Sequence, residues 1–367
     1  MIPVENLLNT LKKNKISFFT GVPDSILKNL SILLDSYSSK YHKMAVNEGS
    51  AVAIGIGHYL ATKKLACVYM QNSGLGNAIN PLVSIAHKKV YSIPLLLLVG
   101  WRGSPGIKDE PQHMVKGKIT PKLLRLLDID FCKIREKKDL KKLNYLIKKS
   151  IKEKKVVACL IENKVLIGNR KNSLKLKKIS NVTRENFIIN LLNLVKKDSK
   201  IISTTGYTSR ELMKVRREKK LKKGKDFYMV GGMGHSLSVT LGMNLQSNKQ
   251  IICLDGDGSA LMHLGSMFSS GFSKKINLKH VLLNNNSHES VGGQITEAKR
   301  INFNKLSKSL GYKSYFKITE KNKIAFTLKK FLKSKKSSFL EVFICSDSIK
   351  NLPRPNNLIN IKNDFIK

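Results

Sequence analysis

The sequence predicts an α/β protein built from two doubly wound domains, each with a parallel sheet. Short apolar runs alternate with helix-patterned segments, which is typical of strands connected by helices in a parallel sheet. This alternation stops in a stretch rich in lysine and arginine and then starts again. A length of 367 residues is also sufficient for two or three domains that each bury a core. We therefore predict domains at 1–167 and 183–367, joined by a linker at 168–182.

The first half contains five apolar runs that predict strands and four segments that predict helices. Small apolar residues dominate the helix over 48–62, and Asp24 is expected to cap the helix that ends near Leu34. A loop rich in glycine and proline follows Val99. Strands are predicted at 18–22, 44–47, 65–70, 93–99 and 156–161, and helices at 24–34, 48–62, 75–87 and 139–152.

The second half repeats the alternation without a convincing residue-level repeat of the first. Its apolar runs are again short enough for strands, and the intervening segments have helical periodicity. Strands are predicted at 200–203, 227–230, 251–254, 281–283 and 339–344, and helices at 184–195, 209–216, 234–245 and 259–272.

The net charge of +42, from 67 basic and 25 acidic residues, raises the possibility of a nucleic-acid-binding protein. The lysines, however, lie in runs such as 152–155 and 329–336, without interleaved aromatic residues or a recognisable binding motif. This pattern favours a solvated surface that attracts anionic substrates. We predict no nucleic-acid partner, and a basic nucleic-acid-binding protein is the alternative from a different class.

The cysteines and the apolar segments indicate a cytoplasmic protein. The five cysteines form no CxxC pair and mostly lie in apolar runs, which is typical of buried free thiols in a reducing compartment. Residues 1–14 contain no long apolar stretch, which argues against a signal peptide. The most apolar segment, 93–99, is too short to cross a bilayer, so no membrane partner is expected.

Polar residues follow two predicted strands of the second half. The strand at 251–254 runs into Asp255-Gly256-Asp257-Gly258-Ser259, and the strand at 281–283 runs into Asn284-Asn285-Asn286. In parallel sheets the carboxyl ends of adjacent strands form the ligand crevice, so Asp257 and Asn285 can converge. A carboxylate and an amide oxygen suit Mg²⁺ or Ca²⁺ and do not suit zinc.

The glycines beside Asp257 predict a bulky ligand. Gly256 and Gly258 allow the backbone to come close to it, and the helix predicted after Ser259 would direct its amino end to the same place, favouring an anion. A metal and an anion in one crevice indicate a magnesium diphosphate. The alternative is that Gly-Asp-Gly forms only a tight turn.

The spacing of these motifs resembles a known signature. Gly-Asp-Gly, 25 intervening residues and Asn-Asn resembles the thiamine diphosphate motif of 2-oxo acid decarboxylases, acetolactate synthases and transketolases. Over nearly the whole chain the sequence resembles, more narrowly, the phosphonopyruvate decarboxylase family, with sulfopyruvate decarboxylases as nearest relatives. The resemblance implies the thiamine diphosphate-binding fold without the middle domain of larger members. The segments that carry this resemblance include GVPDSIL (21–27), NEGSAVAIGIGHYLAT (47–62), GWRGSPGIKDEPQHMVKG (100–117) and LNNNSHESVGGQ (283–294).

The resemblance implies that the second half binds Mg²⁺ and the diphosphate. Asp257, the side chain of Asn285 and the main-chain carbonyl of Ser287 would bind the metal. One position departs from the family, because Asn286 stands where a glycine is expected. If that position needs a positive φ, asparagine is the best substitute. The diphosphate would contact Gly258, Ser259, Thr205 and Gly206.

The segment Gly231-Gly232-Met233-Gly234 resembles the family segment that holds the rings of the cofactor. The carbonyl of Gly231 would accept a hydrogen bond from the 4′-amino group, and Met233 would wedge the two rings into a bent form. Met233 is also compatible with an ordinary core methionine.

The resemblance assigns an acid to the first half. In this family a glutamate of the other α/β unit, normally of a partner subunit, protonates N1′ of the aminopyrimidine, and Glu48 matches it. Ala51, Val52 and Ile54 would form an apolar wall that raises the pKa of this carboxyl. The alternative is a helix-start glutamate favoured by the helix dipole. A homodimer or higher homo-oligomer, with the site at the subunit interface, is therefore expected.

The resemblance further implies decarboxylation of 3-phosphonopyruvate to phosphonoacetaldehyde and CO₂, in phosphonate biosynthesis. Asp24 and His113 would handle protons after CO₂ leaves. The small anionic 2-oxo acid would need cationic or donor groups, for which Arg102 is favoured because a guanidinium fork fits a tetrahedral oxyanion. A sulfopyruvate decarboxylase is the alternative, since a sulfonate has nearly the same geometry. The candidate substrate contacts are Arg102, Gln112, His113 and His288.

Overall fold

The computed structural model describes residues 1–168, 180–273, 278–346 and 351–367. These residues form two compact units. One contains the described residues up to 168 together with 291–294, and the other contains those from 180 to 290 and from 295 onward. Most of the predicted linker, residues 169–179, lies outside the described residues, so the boundaries at 167 and 183 stay predictions.

The first unit is built on a six-stranded parallel sheet. The eight strands in the described part of the unit, six of which form this sheet, are β1 (Ile2–Pro3), β2 (Phe18–Gly21), β3 (His42–Met44), β4 (Ala66–Gln71), β5 (Leu95–Gly100), β6 (Asp130–Ile134), β7 (Val157–Ile161) and β8 (Leu166–Ile167). Its helices are α1 (Val4–Lys13), α2 (Lys28–Leu34), α3 (Glu48–Thr62), α4 (Leu75–Pro81), α5 (Pro111–Leu126) and α6 (Leu140–Glu153). The sheet order is β3-β2-β4-β5-β7-β6, and β1 pairs separately with β8.

Both faces of this sheet are buried. Phe18 and Phe19, neighbours on β2, belong to different apolar clusters, one on each face. One cluster contains residues of α1, α2 and α6, and the other contains residues of α3, α4 and α5. The strand β5 is fully buried, as expected for a parallel strand covered by helices on both sides. The unit is therefore doubly wound.

The second unit has a similar six-stranded parallel sheet. Its strands are β9 (Lys200–Ser203), β10 (Lys225–Tyr228), β11 (Ile251–Gly256), β12 (Leu278–Asn284), β13 (Ser314–Ile318) and β14 (Ser338–Phe343). Its helices are α7 (Arg184–Leu194), α8 (Tyr207–Glu218), α9 (Ser236–Gln246), α10 (Asp257–Met262), α11 (Gly265–Gly271), α12 (Phe303–Ser309), α13 (Ile324–Lys333) and α14 (Leu358–Ile366). The sheet order is β10-β9-β11-β12-β14-β13.

The helices of the second unit also cover both faces of their sheet. Helices α7, α8 and α13 contribute to one apolar cluster, and α9 to α12 contribute to the other. The predicted fold class of two doubly wound parallel-sheet domains is confirmed. Between the two units, no further α/β domain is present in the described part of the chain.

Two predicted helices differ from the observed ones. The segment predicted as one helix over 259–272 is two short helices, α10 and α11, because the chain leaves helical geometry at His263, where φ is −132° and ψ is 57°. The helix predicted over 75–87 is regular only to Pro81, and Leu82–Ala86 form a π-helical turn. Pro81 has no N–H to bond to a preceding carbonyl, which weakens the regular ladder there.

Asp24 is not the N-cap of the second helix. Helix α2 begins at Lys28, and its N-cap residue, Leu27, makes no side-chain cap. The Asp24 carboxylate instead accepts a hydrogen bond from the Leu27 backbone N–H at 3.2 Å. The strand predicted over 44–47 ends at its first residue, because Asn47 is the N-cap of α3 and accepts from the Ser50 N–H.

The sequence analysis did not anticipate α5 or β6. Helix α5 begins at Pro111, within the segment expected to be a loop, and proline fits the first helical turn because its missing N–H needs no partner there. Strand β6 is a short, partly buried edge strand, so its apolar pattern is weak. All five cysteines are free, with Cys132 partly buried and the others buried. No described helix combines the length and hydropathy of a membrane span.

Candidate active site

Asp257 and Asn285 lie at the carboxyl ends of two adjacent strands. Asp257 directly follows β11, and Asn285 directly follows β12, which pairs with β11 in parallel. Both side chains are buried, with 3% and 6% of their surface exposed, and both line one cavity. The structure thus brings the two residues together as expected, while their role as metal ligands stays a prediction.

The donors that stabilise the buried Asp257 carboxylate are neutral: a hydroxyl group and backbone N–H groups. Burial raises its pKa to about 6, and hydrogen bonds from Thr296 and from backbone N–H groups offset part of that rise. The Thr296 hydroxyl donates to Oδ2 of Asp257 at 2.6 Å. A carboxylate buried in this way is stabilised further by a bound cation.

The amide of Asn285 is held in one orientation. Its Nδ2 donates to Glu289 at 3.0 Å, and its Oδ1 accepts from the Ser287 N–H at 3.1 Å. Glu289 also accepts from Arg184 at 2.9 Å, and Arg184 pairs with Glu211 at 2.6 Å. The sequence analysis missed Arg184, Glu211 and Glu289, because a buried ion-pair network leaves no local motif.

The loop after Asn285 has the backbone that the sequence suggested. Asn286 has a φ of +55°, the left-handed region that asparagine tolerates best among non-glycine residues. The Thr296 N–H donates to the Asn286 carbonyl at 2.9 Å, and Ser287 forms an isolated antiparallel bridge with Ile295. These contacts hold Thr296 beside Asp257, a role that sequence reasoning did not find.

A cavity of about 90 Å³ lies among these residues. Gly206, which has a φ of +90°, is the N-cap of α8 and adjoins the lining residues Thr205 and Tyr207. Gly231 is not among the lining residues. The predicted site residues that line the cavity are Thr205, Met233, Asp257, Gly258, Ser259, Asn285, Ser287 and His288.

The lining of the cavity is compatible with a diphosphate and a divalent cation. A Cβ on Gly258 would lie 2.6 Å from the His288 ring and 3.3 Å from the end of Met233, so glycine keeps this approach open. The Ser287 hydroxyl is buried and has no hydrogen-bond partner among the described residues. Carboxylate, amide and main-chain carbonyl oxygens are the ligands that Mg²⁺ takes in proteins.

Ser259 and His288, which also line the cavity, are defined by their hydrogen bonds and by burial, respectively. The Ser259 hydroxyl accepts hydrogen bonds from Thr204 at 2.9 Å and from the Gly234 N–H at 3.1 Å, which fixes the turn that carries Met233. Burial lowers the pKa of His288 to about 4, so its imidazole is neutral at neutral pH.

Glu48 lies in the first unit, at the first position of α3. Its side chain is 5% exposed, and Oε2 accepts from the Asn77 amide at 2.8 Å. Gly74 makes room for it, because a Cβ there would lie 2.3 Å from the carboxyl group. Of the expected apolar wall, Ala51 and Val52 are fully buried and Ile54 is partly buried.

Asp24 follows β2 at the carboxyl edge of the first sheet. Burial raises its pKa to about 6, while backbone N–H groups of Ile26 and Leu27 and the charge of Arg102 oppose the rise. Gly100, at the end of β5, leaves space for the carboxylate, since a Cβ there would overlap Oδ2 of Asp24. The side chain can therefore gain and lose a proton near neutral pH.

Arg102 belongs to a cluster of charged residues in the first unit. Its guanidinium forms two hydrogen bonds with Asp109, contacts Glu110 at 3.5 Å and donates from Nη1 to Ser25 at 3.1 Å. His113 is part of the same cluster, with a ring nitrogen within 4.8 Å of carboxylate oxygens of Asp109 and Glu110.

Gln112 joins this cluster by donating to Glu110 at 2.7 Å. The structure thus brings Arg102, Gln112 and His113 together. Sequence reasoning missed Asp109 and Glu110 as the partners that orient the guanidinium.

Two family descriptions match the chain. Residues 4–122 match the N-terminal TPP binding domain of thiamine pyrophosphate enzymes, and residues 204–342 match their C-terminal TPP binding domain. Together with the fold and the cavity at the strand ends, these matches define a thiamine diphosphate enzyme.

Curated relatives extend over most of the chain. A phosphonopyruvate decarboxylase of Streptomyces viridochromogenes is 31% identical over 371 residues, covering 97% of this chain and 91% of the relative. One of Streptomyces hygroscopicus is 31% identical over 330 residues, covering 86% and 80%. A sulfopyruvate decarboxylase of Methanosarcina acetivorans is 26% identical over 366 residues, covering 93% and 91%. The chain belongs to the phosphonopyruvate decarboxylase family of thiamine diphosphate-dependent decarboxylases.

Proposed function

We propose that the chain converts 3-phosphonopyruvate to phosphonoacetaldehyde and CO₂, with thiamine diphosphate and Mg²⁺, as a step of phosphonate biosynthesis. The observation that carries the substrate assignment is the 31% identity to two phosphonopyruvate decarboxylases, one of them over 97% of this chain. Arg102 adds physical support, since Asp109 pairs with its Nε and Nη2 and its Nη1 can donate to an anionic group.

In this proposal the second unit holds the metal and the diphosphate. Asp257, the Asn285 side chain and the Ser287 carbonyl bind Mg²⁺, which neutralises the charge of the buried carboxylate. The diphosphate lies against glycines and hydroxyl groups around the cavity. These residues are Thr205, Gly206, Gly258 and Ser259.

The residues that hold and move protons come from the first unit. Glu48 protonates the aminopyrimidine N1′, and Asn77 fixes the direction of its carboxyl group. Thiamine diphosphate, when bound, supplies a carbon nucleophile for the keto carbon and an electron sink for the electrons released with CO₂. Asp24, with a pKa of about 6, and His113 would handle the protons exchanged after CO₂ leaves.

The active assembly is proposed to be a homodimer or a larger homo-oligomer. In thiamine diphosphate enzymes, as the sequence resemblance implies, the acid that meets the aminopyrimidine comes from the other α/β unit of a partner subunit. Glu48 of one chain would then act on cofactor held by Asp257 of another. A closed two-fold arrangement would produce two equivalent sites.

Recognition of the phosphonate is assigned to Arg102. Asp109 occupies Nε and Nη2 of the guanidinium, whereas the described contact of Nη1 is the Ser25 hydroxyl. The Nη1 edge is therefore the part of the guanidinium offered to an anion. Gln112, and His288 from the second unit, are proposed as neutral donors to the same substrate.

Replacing Arg102 with alanine is expected to lower kcat/KM for 3-phosphonopyruvate and sulfopyruvate roughly 30-fold more than for pyruvate. A charge-assisted hydrogen bond contributes about 2 kcal/mol, and pyruvate lacks the anion that forms it. Arg125→Ala is a matched control, because Arg125 is exposed on α5. An equal loss with all three substrates would remove Arg102 from substrate recognition and leave only a structural role.

Sulfopyruvate decarboxylation is the second candidate function. The observation that favours it is the 26% identity to a sulfopyruvate decarboxylase over 93% of this chain. The ratio of wild-type kcat/KM values for phosphonopyruvate and sulfopyruvate, measured in the same experiment, separates the two. A ratio above one supports the phosphonate assignment, and a ratio below one replaces it.

A further inference from the structure

A group of side chains that could ligate a metal is buried on two adjacent strands of the second unit. Cys253 and Asp255 lie on β11, and His280 lies on β12 as the register partner of Cys253. The three side chains are at most 1% exposed. One ligand atom from each, the sulfur, a carboxylate oxygen and a ring nitrogen, all lie within 4.8 Å of one another.

The imidazole of His280 has one satisfied and one unsatisfied nitrogen. Nδ1 is 3.0 Å from the Tyr312 hydroxyl, whereas Nε2 has no hydrogen-bond partner in the described part of the chain. Oδ2 of Asp255 is 3.6 Å from Nε2, which is too long for a hydrogen bond. Two ligands about 2.1 Å from one tetrahedral ion are separated by roughly 3.4 Å, so this gap suits two ligands of a shared metal.

Outer contacts fix two of the three side chains, those of Asp255 and His280. Oδ1 of Asp255 accepts from the Gly256 N–H at 2.9 Å and from Ser236 at 3.2 Å, which leaves Oδ2 directed at His280. When Nδ1 donates to Tyr312, Nε2 carries the lone pair that a metal needs.

We propose that Cys253, Asp255 and His280 bind one divalent ion of the zinc class. Sulfur, imidazole nitrogen and carboxylate oxygen form a donor set for Zn²⁺, in contrast to the all-oxygen set around Asp257. Three protein ligands leave one tetrahedral position for water or a hydroxyl group. The ion would tie β11 to β12 just before both strands reach the cofactor cavity. This site is independent of the proposed substrate and of Mg²⁺.

Titration of the chelator-treated full-length protein with Co²⁺ tests the site directly. The expected result is a thiolate-to-cobalt absorption band together with tetrahedral d–d bands, displaced by Zn²⁺ and saturating at one ion per chain in Asp257→Ala. Co²⁺ at the all-oxygen site around Asp257 gives no thiolate band, so Asp257→Ala is expected to retain the signal. Wild-type protein without a thiolate band would overturn the proposal and leave a metal-free Asp255–His280–Tyr312 network.

Substitution of single proposed ligands tests which side chains bind the ion. Cys253→Ser is expected to abolish the thiolate band, and His280→Gln to weaken Co²⁺ binding at least tenfold, a typical cost of losing a metal-site contact. Cys132→Ser, in the first unit, is the matched control and should retain the band. A band that persists in Cys253→Ser would contradict the assignment. Circular dichroism of each variant distinguishes a lost ligand from a lost fold.

Discussion

Asp257→Ala is expected to abolish thiamine diphosphate binding and with it activity. The side chain is the charged member of the proposed Mg²⁺ ligand set, and it is buried at the end of β11 beside Asn285. Without it, the neutral oxygens of Asn285 and Ser287 do not balance the charge of the metal, and the diphosphate loses its counter-ion. Among the described residues, Glu289 is the other carboxylate that lines the cavity, and it is already bonded to Arg184. We therefore do not expect another carboxylate to replace Asp257 as a metal ligand.

The measurement is the thermal shift produced by thiamine diphosphate with and without Mg²⁺. In the wild type, cofactor at a hundred times its Kd adds about 2.7 kcal/mol to the free energy of unfolding, and the effect should require the metal. The variant should show no shift. Asp198→Ala removes an exposed carboxylate from the same unit and should behave as wild type. A normal Mg²⁺-dependent shift in Asp257→Ala would exclude Asp257 as a metal ligand.

Glu48→Gln is expected to leave cofactor binding nearly intact while slowing activation by roughly 10²–10⁴-fold, the usual contribution of general acid–base catalysis. Glutamine has nearly the same shape and can still accept from Asn77, but it cannot give a proton to N1′. The effect should therefore appear in a proton-transfer step and not in affinity.

Exchange of the thiazolium C2 proton for deuterium, in cofactor bound to the protein, reports this step without substrate. Glu5→Gln is the matched control, since Glu5 is an exposed glutamate at the start of α1. The thermal shift with thiamine diphosphate and Mg²⁺ should be the same in both variants. If C2 exchange in Glu48→Gln matches the wild type, Glu48 is not the activating acid.

The position of Asp257 beside Asn285 could be predicted from the sequence because it depends on few assumptions. Consecutive apolar runs in a parallel-sheet sequence usually form neighbouring strands, and the carboxyl ends of neighbours meet at one edge. For Asn286 the sequence supplies a condition, that asparagine suits the position if a positive φ is needed there, and the observed φ of +55° meets it. These features require only the order of strands and the local properties of the chain.

The partners of the site residues could not be predicted because they depend on tertiary packing. Thr296 hydrogen-bonds to Asp257 although 39 positions separate them in the sequence, and Arg184 bonds to Glu289 over a separation of 105 positions. The pairing of Arg102 with Asp109 needs the turn before α5, in a segment that sequence reasoning treated as a loop. Such contacts produce no periodicity or spacing that a single sequence displays.

The central claim is that this chain, with thiamine diphosphate and Mg²⁺, decarboxylates 3-phosphonopyruvate. The most direct measurement is ³¹P NMR of 3-phosphonopyruvate incubated with the full-length protein, with each cofactor added or omitted. The account predicts that the substrate resonance is replaced by that of phosphonoacetaldehyde, with one CO₂ released per molecule, only when both cofactors are present. An unchanged substrate resonance in the complete mixture, while sulfopyruvate or pyruvate is decarboxylated under the same conditions, would contradict it.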